Sequence, residues 1–137
     1  MRFMLLMIPK GYGEAKPFVP DPQAMLAMMK FNQSLQKAGV LLALDGLHPP
    51  SAGARVTFAG GKPAVTDGPF AEAKEVVGGY WIIQAKSLEE AIEWVKRCPA
   101  NETDTVEIRQ IFEKSEFPED ARKIYDDELH PGAKLKG

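Results

Sequence analysis

One cysteine, Cys98, and two histidines, His48 and His130, stand in a chain of 137 residues. A lone cysteine rules out an intrachain disulfide, and the composition fits a reducing compartment. A structural zinc site takes about four closely spaced Cys or His ligands. These three residues are too few and too scattered, so no metal is expected. A basic excess is also missing: 17 Lys and Arg face 19 Asp and Glu, for a net charge of −2. Such a chain has no reserve of cations for a phosphate backbone, and nucleic acid is not an expected partner. No run approaches the roughly 18–20 apolar residues of a membrane span. The apolar start, Met1 to Ile8, stops at Pro9-Lys10-Gly11, too short for a signal peptide and without a small-residue cleavage site. Glycine-rich phosphate loops are absent too, because Gly11 and Gly13 lead into a proline-rich loop rather than a helix. No cofactor is expected. What remains, 45% hydrophobic and 26% charged residues, describes one folded, cytoplasmic domain with no membrane anchor.

The patterning alternates between two periods. Arg2 to Ile8 reads as a strand buried on both faces. Lys10 to Pro20, with two Gly and two Pro, reads as a loop. Asp21-Pro22 provides an N-cap and a first-turn proline for a helix running to Ala38, with Gly39 as its stop. The inner face of that helix is expected at Met28, Phe31, Leu35 and Ala38. Val40 to Leu44 reads as a second buried strand. Arg55–Ala59 and Lys62–Thr66 read as a hairpin around a two-residue Gly60-Gly61 turn, with Pro63 marking an edge. Val76 to Ala85 reads as a strand in which Gly78-Gly79 marks a bulge or a close backbone approach.

Ser87-Leu88-Glu89-Glu90 reads as a capping box opening a helix that buries Leu88, Ala91, Ile92 and Val95. Thr105 to Phe112 reads as a strand with Val106 and Ile108 inward. A short helix is expected from Pro118 to Glu128, with Phe117, Ala121, Ile124 and Tyr125 on one side and a loose tail from His130. The order β-α-β, hairpin, β-α-β gives an α+β fold, the ferredoxin-like split βαβ arrangement with an extra β-hairpin. Residues 1–113 form the domain and 114–137 a C-terminal helix and tail. Two helices can cover only one face of the sheet, so a homodimer is expected to cover the other.

Two segments carry more polar chemistry than turns require. One is Asp45-Gly46-Leu47-His48-Pro49-Pro50, straight after a strand. The other is Thr66-Asp67-Gly68-Pro69-Phe70-Ala71-Glu72-Ala73-Lys74-Glu75. Asp67-Gly68-Pro69 has good turn chemistry, but a charged run leading into a buried strand is not explained by it. Asp67 to Glu75 resembles the signature of the DGPF (DGPFAETKE) family, within the YCII-related group, with Ala73 in place of the signature's Thr. The likeness extends through Phe31-Asn32, Lys37 to Leu41, Asp45 to Pro49, Gly78 to Trp81 and Glu90 to Pro99.

This resemblance implies a ferredoxin-like subunit that pairs into a dimeric α+β barrel. In the wider group a His–Asp pair in a cleft has been proposed as an acid/base site, in some relatives with its His on the first helix. Here Met28 or Met29 occupies that place, so the helix-borne pair does not carry over. Some relatives occur beside extracytoplasmic-function sigma factors, which implies a regulatory role.

The residue chemistry supports two readings. In the first, a cofactor-independent lyase or isomerase uses His48 as general base, with Asp67 to orient or charge it and Asp45 as a second partner. Arg55 holds a small anionic ligand, Glu72 and Lys74 form a charged rim, and Tyr80 or Trp81 forms a wall. In the second, the chain is a non-catalytic dimer that binds a small ligand or a regulatory protein. Cys98, before Pro99, reads as a packed residue rather than a nucleophile, and Trp81 and Trp94 read as core or interface.

Overall fold

Burial of alternate residues organises the sheet. The computed structural model describes residues 1–12, 21–68, 70 and 75–126. In β1 (Arg2–Ile8) Phe3 and Leu5 are fully buried, and in β5 (Gly79–Gln84) Trp81 and Ile83 are buried. Antiparallel pairing sets Phe3 opposite Ile83 and Leu5 opposite Trp81, so these four share one face. β6 (Thr105–Gln110) pairs with the other edge of β1 and adds Val106 and Ile108 to that face. β2 (Leu41–Gly46) pairs with β5, giving a four-stranded antiparallel sheet in the order β2-β5-β1-β6. The sheet is open, and the described residues close no barrel.

Helix α1 (Pro22–Lys37) starts where the Asp21 carboxylate accepts from the Gln23 amide at 3.3 Å. It ends in a Schellman motif, with Gly39 at φ +74° and the Val40 amide donating to the Leu35 carbonyl at 3.2 Å. Phe31 and Leu35 are its buried residues, and Met28 packs beside them. Ala38, expected inward, is the exposed C-cap, because the helix is already unwinding there.

Helix α2 (Leu88–Val95) is capped by the Ser87 hydroxyl, which accepts from the Glu90 amide at 3.1 Å. The Glu90 carboxylate reaches one residue further back than a capping box requires, to the Lys86 amide at 3.0 Å. Its core stripe is Ala91, Trp94, Val95 and Cys98, spaced three, one and three apart. Leu88, expected inside, is 46% exposed because that stripe is rotated toward Trp94.

The strand expected to be buried at 40–44 is an edge strand. Leu42 is 47% and Leu44 36% exposed, because β2 has a neighbour on one side only. A β-bulge between Leu41 and Ala43 shifts its register against β5. The hairpin strands β3 (Ala54–Thr57) and β4 (Ala64–Asp67) form a separate two-stranded sheet in which every residue is exposed. Their connection is longer than the two-residue turn expected: residues 58–63 include a 3₁₀ turn over Ala59–Gly61, with Gly60 and Gly61 at φ +71° and +79°.

A third helix, α3 (Glu119–Ile124), follows a 3₁₀ turn at Lys114–Glu116. Phe112, Phe117 and Tyr125 form a column with ring centroids 5.8 Å apart at each step. Ile124, expected on the docked side, is 54% exposed. The end of the expected helix at Glu128 and the tail from His130 lie outside the described residues, as does 13–20 of the first loop. No helix among the described residues is long and apolar enough to cross a membrane.

Candidate functional site

The 45–50 turn begins on the sheet face opposite the helices. The bulge in β2 sets Asp45 against Tyr80, and the Tyr80 hydroxyl donates to Asp45 Oδ2 at 3.0 Å. That hydrogen bond, reinforced by the negative charge of Asp45, holds the Tyr80 phenol above its ordinary range. Beyond Asp45 the backbone is fixed twice. The Leu47 amide donates to the Gly78 carbonyl at 2.9 Å, and the Tyr12 hydroxyl donates to the Leu47 carbonyl. Burial pushes the Tyr12 phenol upward as well.

Both glycines of the expected Gly78-Gly79 feature answer close approaches. A Cβ at Gly78 would lie 2.9 Å from the Pro9 ring, and one at Gly79 would lie 3.0 Å from the Asp45 carbonyl oxygen.

The second segment crosses the first at Gly68. Its amide donates to the Gly53 carbonyl at 3.0 Å. A Cβ at this position would stand 1.7 Å from the Pro50 carbonyl oxygen, so no side chain fits. Arg55, at the base of the hairpin, lays its guanidinium 4.0 Å above the Phe70 ring. The structure thus brings the 45–53 turn and the 67–70 segment into contact.

It does not join their chemical groups. His48 and Asp67 are both exposed, and no hydrogen bond or ion pair links them among the described residues. Glu72 and Lys74, the expected rim, lie outside the described residues. Trp81 does not share a wall with Tyr80. It points to the helix face, where its indole donates to Asn32 Oδ1 at 2.7 Å and Phe31 meets it edge-on at 5.8 Å. Alternation along β5 makes this unavoidable: neighbouring residues face opposite sides of a sheet.

Sequence reasoning passed over Tyr12, Pro50 and Phe70 as positioning groups. Tyr12 carried one signal, an aromatic between two glycines in a loop.

Among the described residues no group of three His, Cys, Asp or Glu side chains is arranged to hold a metal ion. A cleft of about 910 Å³ opens elsewhere, beside α3, and none of the expected site residues lines it.

A four-stranded antiparallel sheet backed by helices, with a polar turn leaving its edge strand, defines the class: a small α+β domain. Within that class the relationship is specific. Residues 1–115 match the YCII-related domain family. An uncharacterised protein of Rhizobium meliloti (strain 1021) is 31% identical over 102 residues, spanning 72% of this chain and 82% of that protein. The chain belongs to the YCII-related domain family.

Proposed function

We propose that the crossing of the 45–53 turn and the 67–70 segment is a small-ligand site of a cytoplasmic homodimer. In this reading His48 is the general base of a cofactor-independent lyase or isomerase step, and Asp67 comes from the other arm of the crossing. The observation that carries it is the Gly68–Pro50 contact, which anchors two polar segments of distant sequence against each other. Arg55 over Phe70 adds a cation beside the same crossing for an anionic ligand.

Three observations support the finer family reading. The order β6-β1-β5-β2 agrees with a ferredoxin-like split βαβ unit. Asp67, Gly68 and Phe70 agree with the DGPF subgroup. The exposed hairpin, with Val56 49%, Val65 68% and Phe58 69% accessible, agrees with cover from a second subunit, since a lone two-stranded ribbon is marginal in water.

A panel of small 2-oxo and 2-hydroxy acids tests the site by NMR on ¹⁵N-labelled protein. Saturable shifts should fall on His48, Asp67 and Gly68, and His48→Ala should abolish turnover with the fold intact. A panel that moves none of these resonances at millimolar concentration overturns the reading. The second function, a non-catalytic binding or sigma-factor-associated regulatory module, is favoured by the exposure of both His48 and Asp67, which share no hydrogen bond among the described residues. Binding without turnover in the same panel would select it.

A further inference from the structure

The α3 cleft lies at residues 114–126, at and beyond the end of the family match at residue 115, and plays no part in the crossing described above. Among the described residues its walls are Lys114, Glu119, Asp120, Arg122, Lys123 and Asp126. Lys114 and Asp126 are joined as an ion pair on its wall. Arg122 differs from the other cations of the cleft: its Nε is shielded from solvent and donates to no group among the described residues. Among the described residues its side chain makes no ion pair either. A shielded, unsatisfied guanidinium nitrogen is rare in folded proteins and points to a bound water or ion that completes it. The charge is delocalised over the whole group, so an anion on its terminal nitrogens would offset the cost of shielding the charge, while the Nε–H hydrogen bond itself stays unmade. A carboxylate matches that planar fork with two parallel hydrogen bonds.

We propose that the α3 cleft binds a small organic carboxylate, with Arg122 as its anchor and Lys123 as a second cation. Glu119 and Asp120 set the selectivity. Two carboxylates on the same wall repel a multiply charged anion more strongly than a singly charged one, which favours a monocarboxylate over phosphate. The cleft, about 910 Å³ and largely open to solvent, leaves room for an organic body beside the carboxylate.

The shielded Nε–H is also the reporter, because a proton hidden from water exchanges slowly enough to be seen by NMR. The full ¹⁵N-labelled chain is titrated with sodium benzoate and, separately, with sodium phosphate at matched ionic strength. Benzoate should move the Arg122 Nε–H resonance with saturation in the millimolar range, and phosphate should move it at least fivefold more weakly. Arg122→Gln should abolish saturable benzoate binding while the melting temperature stays within a few degrees, and Lys123→Gln should weaken it severalfold. A non-saturating shift, an equal or stronger response to phosphate, or unchanged benzoate binding in Arg122→Gln overturns the proposal. If Arg122→Gln fails to fold, the exposed Lys123→Gln decides, and unchanged affinity there overturns it.

Discussion

Gly68→Ala is the sharpest test of the crossing between the two segments. The added carbon would stand 1.7 Å from the Pro50 carbonyl oxygen, 2.5 Å from its carbon and 3.2 Å from the Ser51 nitrogen. Carbon and carbonyl oxygen in contact sit about 3.3–3.6 Å apart, so the segments must separate by roughly 1.5–2 Å. All three obstructing atoms are backbone, and no side-chain rotation relieves the clash. A shift of that size breaks the Gly68–Gly53 hydrogen bond, now 3.0 Å.

Losing the bond costs about 0.5–1.5 kcal/mol, and overpacking costs about 1–3 kcal/mol. The sum, about 1.5–4.5 kcal/mol, corresponds to a fall in melting temperature of roughly 5–15 °C for a chain of this size. Gly46 and Gly53 are internal controls: an added carbon meets nothing within 4 Å at the first and only ordinary contact, 3.7 Å, at the second. Thermal melts by circular dichroism should separate Gly68→Ala from Gly46→Ala and Gly53→Ala, and amide shifts over residues 47–53 should change in the first alone. A melting temperature matching the controls, with those amides unmoved, would refute the reasoning.

Asn32→Ala removes the acceptor of the buried Trp81 indole and should destabilise by about 1–3 kcal/mol, with a matching change in Trp81 fluorescence. The Arg2 guanidinium donates to Glu113 at 2.8 and 3.3 Å, and that hydrogen bonding holds the Glu113 carboxyl below its usual range. Both side chains are more than a third exposed, so a double-mutant cycle should give only about 0.2–1 kcal/mol. Because the folded-state value is lowered, this stabilisation should be full above about pH 4.5 and vanish as pH falls through the lowered value, which urea melts of wild type and Glu113→Gln would show. Burial lifts the Cys98 thiol to about 11, which leaves about one thiolate per thousand at pH 8. Native protein should therefore react with a thiol reagent far more slowly than urea-unfolded protein.

Most of the sheet was legible because its strands are short apolar runs bounded by Gly and Pro, and Val106 and Ile108 alternate cleanly with Glu107 and Arg109. The Asp21-Pro22 and Gly39 signals bounded α1 because capping chemistry is local. What was not legible depends on neighbours. Leu42 and Leu44 look as buried as Leu5 in the sequence, and only their edge position exposes them. The α2 stripe was misjudged by about one residue, because Trp94 and Cys98 did not enter the pattern. In the candidate site, both loops and Asp45 were apparent, whereas the Tyr12, Pro50 and Phe70 contacts arise between segments far apart in sequence. Trp81 could have been assigned to the helix side from strand alternation alone.

The bulge in β2 makes the chemistry of the turn a matter of counting. With a regular ladder from Leu41 opposite Ile83, Leu42 would oppose Ile82, Ala43 would oppose Trp81 and Leu44 would oppose Tyr80. Asp45 would then point beneath the helices, since a one-residue slip reverses every side chain on a strand. Removing a single codon, that for Leu42, would therefore straighten the strand and keep Ala43 opposite Ile82, Leu44 opposite Trp81 and Asp45 opposite Tyr80, whereas straightening it with Leu42 retained would set a leucine against tyrosine and thrust a carboxylate toward the apolar layer. The inherited variable at this edge is chain length between Gly39 and Asp45. A relative one residue shorter there would present the same side of its turn on a regular ladder, and one of equal length would need the bulge to do so.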